Sequence, residues 1–207
     1  LTKDRAKPAV PFGGVYRIID FTLSNCINSG LRQVLVLIQY KSMSLQRHLQ
    51  LGWSFFQAEL GEFIDVIPAQ QRVDSFWYVG TADAVYQNIY SIEQERPDIV
   101  LVLAGDHVYK MDYSQMLEFH QQHEADATVG VIEMPCDRAA GQFGILEVGA
   151  QDRIVGFEEK PAAPKLIPGT ADRSYVSMGI YCFNRVALEE VLMEDAKRQD
   201  STHDFGR

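Results

Sequence analysis

The chain has 207 residues, of which 46% are hydrophobic and 23% are charged, as expected of a globular protein with a full core. Its net charge of −9 argues against nucleic-acid binding, which normally requires a basic face. No apolar run is long enough to span a bilayer, and no signal-peptide pattern opens the chain. With only three, widely spaced cysteines, these features predict a cytoplasmic protein without a membrane partner.

Helix and strand patterns alternate from the beginning of the chain to about Met134. In chain order they are a helix in 16–30 that Gly30 ends, a strand in 33–39, a helix from Ser42 through Leu49, a strand that ends at Pro68, a helix in 80–95 with Thr81 as its N-cap, a strand in 99–104, a helix capped by Asp112, and a strand in 127–134. This alternation predicts a parallel sheet that is covered by helices on both faces.

After Met134 the pattern changes to strands with short or irregular connections, in "FGILEVG", "RIVGFEEK" and "YVSMGIYCF". These segments predict a smaller antiparallel or mixed annex. The fold class is therefore α/β, with one domain over residues 1–207. Because both ends of the chain lie inside polar segments, we expect this domain to be partial.

The apolar run over 99–104 is typical of a strand buried on both faces, and Asp106 follows directly at its end. In open α/β sheets, ligands bind beyond the carboxyl ends of the strands. A carboxylate at this position suits Mg²⁺, which one or two carboxylates and substrate phosphates often hold. The other interpretation, an acid that caps the turn after a strand, has equal weight on the strand pattern alone. We expect His107 to pack beside it.

Two lysines lie in segments that suit phosphate binding. Lys7 lies in "AKPAVPFGG", where proline and glycine keep the chain in a loop. Lys160 follows Glu159 at the end of a strand, where an acid and a lysine together can bind a sugar hydroxyl and a phosphate. A solvated lysine and an exposed ion pair are the commoner roles for such residues.

Other catalytic constellations are missing from the sequence. His120 and His123 have the i, i+3 spacing of a metal clip, but no third ligand is evident nearby, so a solvated helix face is the better interpretation. No G-x-S-x-G elbow, C-x-x-C pair or P-loop is present, which excludes esterase-type triads, such zinc sites and Walker-type kinases. A metal-dependent glycosyltransferase would need a D-x-D pair, which "GDHVY" does not supply.

The segments "RAKPAVPFGG", "YRIIDF", "LSNCINSG", "GWSFF", "PAQQR", "GTADAV", "LAGDH", "YKMDY", "EEKP", "SMGIY" and "HDFG" together resemble the bacterial ADP-glucose pyrophosphorylases over the whole chain. The resemblance implies a Rossmann-like nucleotidyltransferase domain with a mostly parallel mixed sheet and an antiparallel sugar-binding annex. It implies synthesis of ADP-glucose and pyrophosphate from ATP and glucose 1-phosphate with Mg²⁺, for glycogen-type polymers. The full-length enzymes are expected to be homotetramers.

The same resemblance assigns roles to residues of this chain. The catalytic residues would be Asp106, which also binds Mg²⁺, Lys160, which contacts the phosphate of glucose 1-phosphate, and Lys7, which lies near the phosphates. The substrate-binding residues would be Glu159, Ser177, Asp204, Gly144 and Tyr78. The nucleotide-binding residues would be Gln71, Gly80 and Thr81.

Three departures from the family pattern qualify these roles. The Gly-rich loop around the ATP phosphates is expected before Leu1, and a second metal-binding aspartate and a β-helix domain are expected after Arg207. We therefore expect the 207-residue chain by itself not to make ADP-glucose. Asp4 replaces a lysine that contacts an anionic activator in some members. The alternatives are another sugar-1-phosphate nucleotidyltransferase and a non-catalytic regulatory subunit that binds nucleotide.

Overall fold

The computed structural model describes residues 6–39, 43–69 and 77–206. The helices in these ranges are α1 (Ile19–Asn28), α2 (Met43–Gly52), α3 (Thr81–Tyr86), α4 (Ile89–Glu95), α5 (Tyr113–Gln122), α6 (Cys136–Ala139) and α7 (Arg185–Asp195). The strands are β1 (Pro11–Phe12), β2 (Tyr16–Arg17), β3 (Gln33–Ile38), β4 (Phe63–Pro68), β5 (Ile99–Leu103), β6 (Ala127–Pro135), β7 (Gly144–Val148), β8 (Ile154–Glu159) and β9 (Arg173–Asn184).

The strands combine one parallel pair with a larger antiparallel sheet. β3 and β4 pair in parallel, β1 and β2 form a small antiparallel pair, and β9 pairs antiparallel with β5, β6 and β7. β8 completes the larger sheet through β7. The α/β class and the antiparallel annex are confirmed. The sequence predicts a mostly parallel sheet, but in the described residues antiparallel strand pairs outnumber the parallel pair. One reason is that β5 pairs with the antiparallel strand β9 and not with a parallel neighbour.

Two apolar clusters connect the parallel pair to the larger sheet. On one face Val34 of β3 packs in the same cluster as Leu101 and Leu103 of β5. On the other face Leu35 of β3 shares a cluster with Val100 of β5. No backbone hydrogen bond joins β3 to β5 within the described residues. β5 is therefore half-buried along its length, where the sequence predicts a fully buried strand.

Helix α1 forms where its apolar spacing predicts. Ile19, Leu23 and Cys26 are buried on one side of it. Gly30 follows the helix with a φ of +79°, a conformation that favours glycine, and its N–H donates to Ile27 O. The predicted stop at Gly30 is confirmed.

Two helical segments differ from the prediction. The single helix expected over 80–95 is two helices, α3 and α4, because the helix is interrupted at Gln87 and Asn88. Helix α5 begins as predicted, with Asp112 Oδ1 accepting from Ser114 N at 3.0 Å. The solvated face expected there is wrong for His120, which is 1% exposed and lies between Thr128 and Asn184.

None of the helices in the described ranges is long and apolar enough to cross a membrane. A cleft of about 690 Å³ lies against α1 and α2. Asp20 is buried beside it and accepts hydrogen bonds from His48 Nε2, Trp53 Nε1 and Arg17 N. This carboxylate therefore ties the beginning of α1 to α2 and to the segment after it.

The packing of β9 generates a stability prediction. Ile180 is fully buried in β9 opposite Leu103, so Ile180→Ala should lower the free energy of unfolding by about 2–5 kcal/mol. The control Ile154→Ala, in half-exposed β8, should cost about 1 kcal/mol or less. Denaturant unfolding of the two variants measures both values. Equal losses would contradict the assignment of β9 to the centre of the core.

Candidate active site

Asp106 lies in the loop that follows β5, and one helix holds this loop at three points. Thr22 Oγ1 of α1 donates to Ala104 O at 3.1 Å, and Asn25 Nδ2 donates to Tyr109 O at 3.1 Å. Just after the helix, Ser29 Oγ accepts from Tyr113 N at 2.7 Å. Because Thr22 and Asn25 are buried, water competes weakly for these bonds. The polar face of α1 therefore fixes both ends of the segment that carries Asp106.

The Asp106 carboxylate has free acceptor capacity. Its Oδ1 lies 3.8 Å from His107 Nε2, which is too long for a hydrogen bond, and its side chain is 36% exposed. Asp106 accepts no hydrogen bond from the part of the chain that the structure describes. One open carboxylate fits Mg²⁺, which keeps several waters and takes further oxygens from phosphates. The described residues hold no cluster of three or more metal-binding side chains.

The segment that contains Lys7 lies beside the Asp106 loop. A Cβ on Gly105 would lie 3.6 Å from Pro8 Cγ, so the residue after Lys7 packs against the residue before Asp106. Lys7 itself is exposed at the beginning of a short 3₁₀ helix, Lys7–Ala9. The structure thus brings the segment that carries Lys7 next to the loop that carries the predicted metal ligand, Asp106.

Glu159 and Lys160 lie together at the end of β8. Lys160 Nζ is 2.8 Å from Glu159 Oε1, and the Lys160 N–H donates to Phe143 O at 3.1 Å. Gly144 pairs with Glu159 in the sheet. A Cβ at Gly144 would lie 2.6 Å from Phe157 Cζ and 3.0 Å from Glu159 Oε2, so only glycine fits without displacing these side chains.

Two further polar side chains, Ser177 and Asp204, lie with Glu159 near Tyr181 of β9. Burial raises the pKa of the Tyr181 hydroxyl, a hydrogen bond with Ser177 lowers it, and the charges of Asp204 and Glu159 raise it. Glu159, Ser177 and Asp204, which come from three separate parts of the sequence, therefore act on the same hydroxyl. Such a group of acceptors and hydroxyls suits a polyhydroxy ligand, with Lys160 beside it for an anionic substituent.

Strand β9 also connects this polar group to Asp106. Gly179 lies between Ser177 and Tyr181 with a φ of +64°, and a Cβ there would lie 3.7 Å from His107 Cε1. The chain thus bends toward the Asp106 loop at the position where it also carries the polar side chains. The structure places the predicted metal ligand and the predicted sugar pocket next to each other.

Gly80 and Thr81 lie at the beginning of α3, where they contact the C-terminal segment Ser201–Gly206. The predicted N-cap role of Thr81 is wrong: Thr81 is the first residue of the helix, and its hydroxyl donates to Asp204 Oδ1 and accepts from Phe205 N. The carbonyl of His203 occupies the cap position and accepts from Ala82 N and Asp83 N.

The structure describes Tyr78, which is predicted to bind substrate, but not Gln71, which is predicted to bind the nucleotide. The Tyr78 ring is only 9% exposed, and its hydroxyl accepts from Asn88 Nδ2 at 2.9 Å. Its side chain therefore packs inside the domain, which leaves little of the ring for a substrate. Gln71 lies outside the described residues, as does Asp4.

The whole chain, residues 1–207, matches the family model described as nucleotidyl transferase. The chain belongs to the nucleotidyl transferase family. This membership confirms the predicted fold family.

Curated relatives agree over the full chain. It is 57% identical over 207 residues to glucose-1-phosphate adenylyltransferase 2 of Alkalilimnicola ehrlichii, which it covers to 49%. It is 56% identical over 206 residues to the glucose-1-phosphate adenylyltransferase of Methylococcus capsulatus and 55% identical over 208 residues to that of Rhodopirellula baltica, covering 48% and 46% of them. All of this chain aligns in each case, and it spans about half the length of these relatives. The resemblance to ADP-glucose pyrophosphorylases is confirmed.

Two aromatic residues that lie in this candidate site, Tyr181 and Phe205, are absent from the set of residues predicted from the sequence. The Phe205 ring lies 5.5 Å from that of Tyr181 and 5.6 Å from that of Phe183. Alternation along β9 puts Ser177, Tyr181 and Phe183 on one face, and this signal could have identified Tyr181. The position of Phe205 depends on a contact with a distant strand, which the local pattern does not show.

The contact between Gly80 and His203 generates a prediction. A Cβ at Gly80 would lie 2.1 Å from His203 O, a backbone atom, so Gly80→Ala should push the C-terminal segment off α3 and cost about 1–3 kcal/mol of unfolding free energy. Hydrogen exchange at Ala82 and Asp83 should accelerate. Gly52→Ala is the control, because its nearest contact would be an ordinary 4.0 Å. Unchanged exchange at both amides would contradict the predicted displacement.

Proposed function

We propose that residues 1–207 form part of the catalytic domain of an enzyme that makes ADP-glucose and pyrophosphate from ATP and glucose 1-phosphate. The observation that carries the proposal is a set of close approaches. Phe205, next to Asp204, packs on Tyr181, a Cβ at Gly206 would lie 3.9 Å from Glu159 Oε2, and a Cβ at Gly179 would lie 3.7 Å from His107 Cε1, beside Asp106. The names of the relatives point to the same pair of substrates.

The reaction needs positioning and charge neutralisation more than a protein nucleophile. A phosphate oxygen of glucose 1-phosphate attacks the α-phosphorus of ATP, the new P–O bond forms as the bond to the β-phosphate oxygen breaks, and pyrophosphate leaves. Both reactants are anionic, so each must be held against the repulsion of the other. In a chain with a net charge of −9, the cations that do this must be concentrated locally.

Each residue has a role that follows from its chemistry. Lys160 would neutralise the sugar phosphate, while Glu159 and Asp204 would accept hydrogen bonds from sugar hydroxyls. Lys7 would lie against the ATP phosphates beside the Asp106 loop. Mg²⁺, held by Asp106, would neutralise the phosphates between which the bond changes occur. A homotetramer and a cytoplasmic location remain predictions, and size-exclusion chromatography with light scattering tests the first.

The first test is the reaction itself. The complete gene product should release pyrophosphate when it is given ATP, glucose 1-phosphate and Mg²⁺, and ADP-glucose should appear in equal amount. The same assay with UTP, GTP or CTP tests the second candidate, another sugar-1-phosphate nucleotidyltransferase. A preference for one of these nucleotides would replace ATP in the proposal, and no turnover with any of them would favour a regulatory subunit.

Asp106→Asn should lower kcat about 10²–10³-fold, because the substitution removes the charge that faces the cation while keeping the size of the side chain. Asp112→Asn is the matched control, since it removes a carboxylate from the same loop at a helix N-cap where asparagine caps as well as aspartate. Steady-state kinetics decide the matter. Similar turnover in the two variants would remove Asp106 from the mechanism.

Lys160→Ala should raise KM for glucose 1-phosphate roughly 10–100-fold, the loss expected for a charge-assisted bond, while KM for ATP stays nearly constant. Lys165→Ala is its control, because Lys165 also pairs with a glutamate, Glu147, but in an exposed part of the annex. A larger effect on KM for ATP would mean that the sugar pocket has been assigned to the wrong part of the site.

A further inference from the structure

The segment Ser201–Phe205 contacts both sides of the candidate site. The hydrogen bonds that hold this segment in place, called its anchor below, lie outside the site at the end of α7. On one side the His203 carbonyl accepts from Ala82 N at 2.9 Å, at the beginning of α3. On the other side Phe205 packs on Tyr181 of β9. Since the Gly80–Thr81 corner is assigned to the nucleotide and the Tyr181 surroundings to the sugar, this one segment spans the two substrates.

The anchor is a hydrogen-bonded group at the end of α7. His203 Nδ1 donates to Asp195 Oδ2 at 2.7 Å. Ser201 Oγ donates to Asp195 Oδ1 at 2.6 Å and accepts from His203 N at 3.0 Å. The hydrogen bond from Ser201 and, after it, that from His203 lower the pKa of Asp195, so this carboxylate is a charged acceptor for both at neutral pH.

The anchor holds a backbone conformation that the chain would not adopt by itself. His203 has a φ of +52°, in the left-handed region that non-glycine residues rarely occupy. This conformation directs the His203 carbonyl to α3, while the next two residues reach Thr81 and β9. The bonds from the imidazole and from Ser201 to Asp195 offset the cost of the conformation.

We propose that His203 is a positioning residue: through its hydrogen bond to Asp195 it holds Asp204 and Phe205 in the place where they form the sugar side of the site. The inference rests on the proposed function for the identity of the substrate. His203 does not contact substrate in this proposal; it acts through the two residues that follow it. Loss of its side chain should therefore weaken sugar binding more than nucleotide binding.

The experiment uses the complete gene product and four variants at this anchor: His203→Ala, His203→Asn, Asp195→Ala and the double variant of Asp195→Ala with His203→Ala. His203→Ala removes the imidazole, and His203→Asn keeps a donor that can reach Asp195 and a residue that tolerates positive φ. His203→Ala should raise KM for glucose 1-phosphate about tenfold, since a small displacement of a positioned group is costly, with KM for ATP changed less than about twofold. His203→Asn should recover most of the loss. Asp195→Ala combined with His203→Ala should be no worse than Asp195→Ala alone, because that single variant already removes the acceptor of both Ser201 and His203.

Asp200→Ala is the matched control. It removes an exposed ion pair with Arg198, 3.5 Å apart, from the same connection between α7 and the segment, without touching Asp195 or His203. Its kinetic constants should equal those of the wild type. Hydrogen exchange at Ala82 and Asp83 supplies a readout that does not depend on turnover, and it should accelerate in His203→Ala and in the variants that lack Asp195 but not in Asp200→Ala.

The outcomes separate this inference from the proposed function. Wild-type protein without ADP-glucose synthesis would refute the proposed function, whereas the exchange measurement would still decide whether His203 holds the segment. With an active wild type, equal changes in both KM values, an unchanged KM for glucose 1-phosphate, or no recovery with His203→Asn would each overturn the positioning role.

Discussion

The pairing of β9 with three strands at once is the constraint on which the site depends. Its second half pairs with β5, its first half pairs with β7, and β6 runs along it in both halves. The pairing between β6 and β9 is interrupted near the middle of β9, where its register shifts between Val129 and Val131 of β6. Gly130 lies at this shift, where a Cβ would lie 3.2 Å from Ile180 Cβ. The irregularity occurs where β9 carries Ser177, Gly179 and Tyr181, so the sheet places its polar side chains where its own ladder is interrupted.

Helix α1 supports the part of the candidate site that contains Asp106, and its polar residues make two separate sets of contacts. Thr22 and Asn25 hold the Asp106 loop, while Asp20 accepts three donors from α2 and its surroundings. A helix of ten residues thus ties one end of the domain to the loop that carries Asp106, the proposed metal ligand. Two of the polar residues in "LSNCINSG", Asn25 and Ser29, bond to backbone groups at the end of this loop and the start of α5, while Ser24 and Asn28 are exposed. The loop has no ladder of its own to satisfy those backbone groups.

The sequence correctly predicts the features that depend on interactions between residues close together in the chain. The apolar spacing of α1, its stop at Gly30, the cap at Asp112 and the position of Asp106 after a strand depend on residues within a few positions of each other, and the structure confirms them. The role of Thr81 could not be obtained in this way, because its partner Asp204 is 123 residues away. His120 was expected in solvent for the same reason, since one of its two partners, Asn184, comes from the far end of β9.

The cap on α3 also limits what the Gly80–Thr81 corner can do for a nucleotide. The first N–H groups of a helix are often the donors that bind phosphate. Here Ala82 N and Asp83 N both donate to the His203 carbonyl, and Thr81 Oγ1 donates to Asp204, so these donors are already satisfied within the protein. A phosphate at this end of α3 would have to displace the segment that carries His203 and Asp204. In the proposed function the corner can therefore contribute close backbone approach, which Gly80 permits, while the charge of the ATP phosphates would have to be met elsewhere, by the Lys7 segment and by a cation at Asp106.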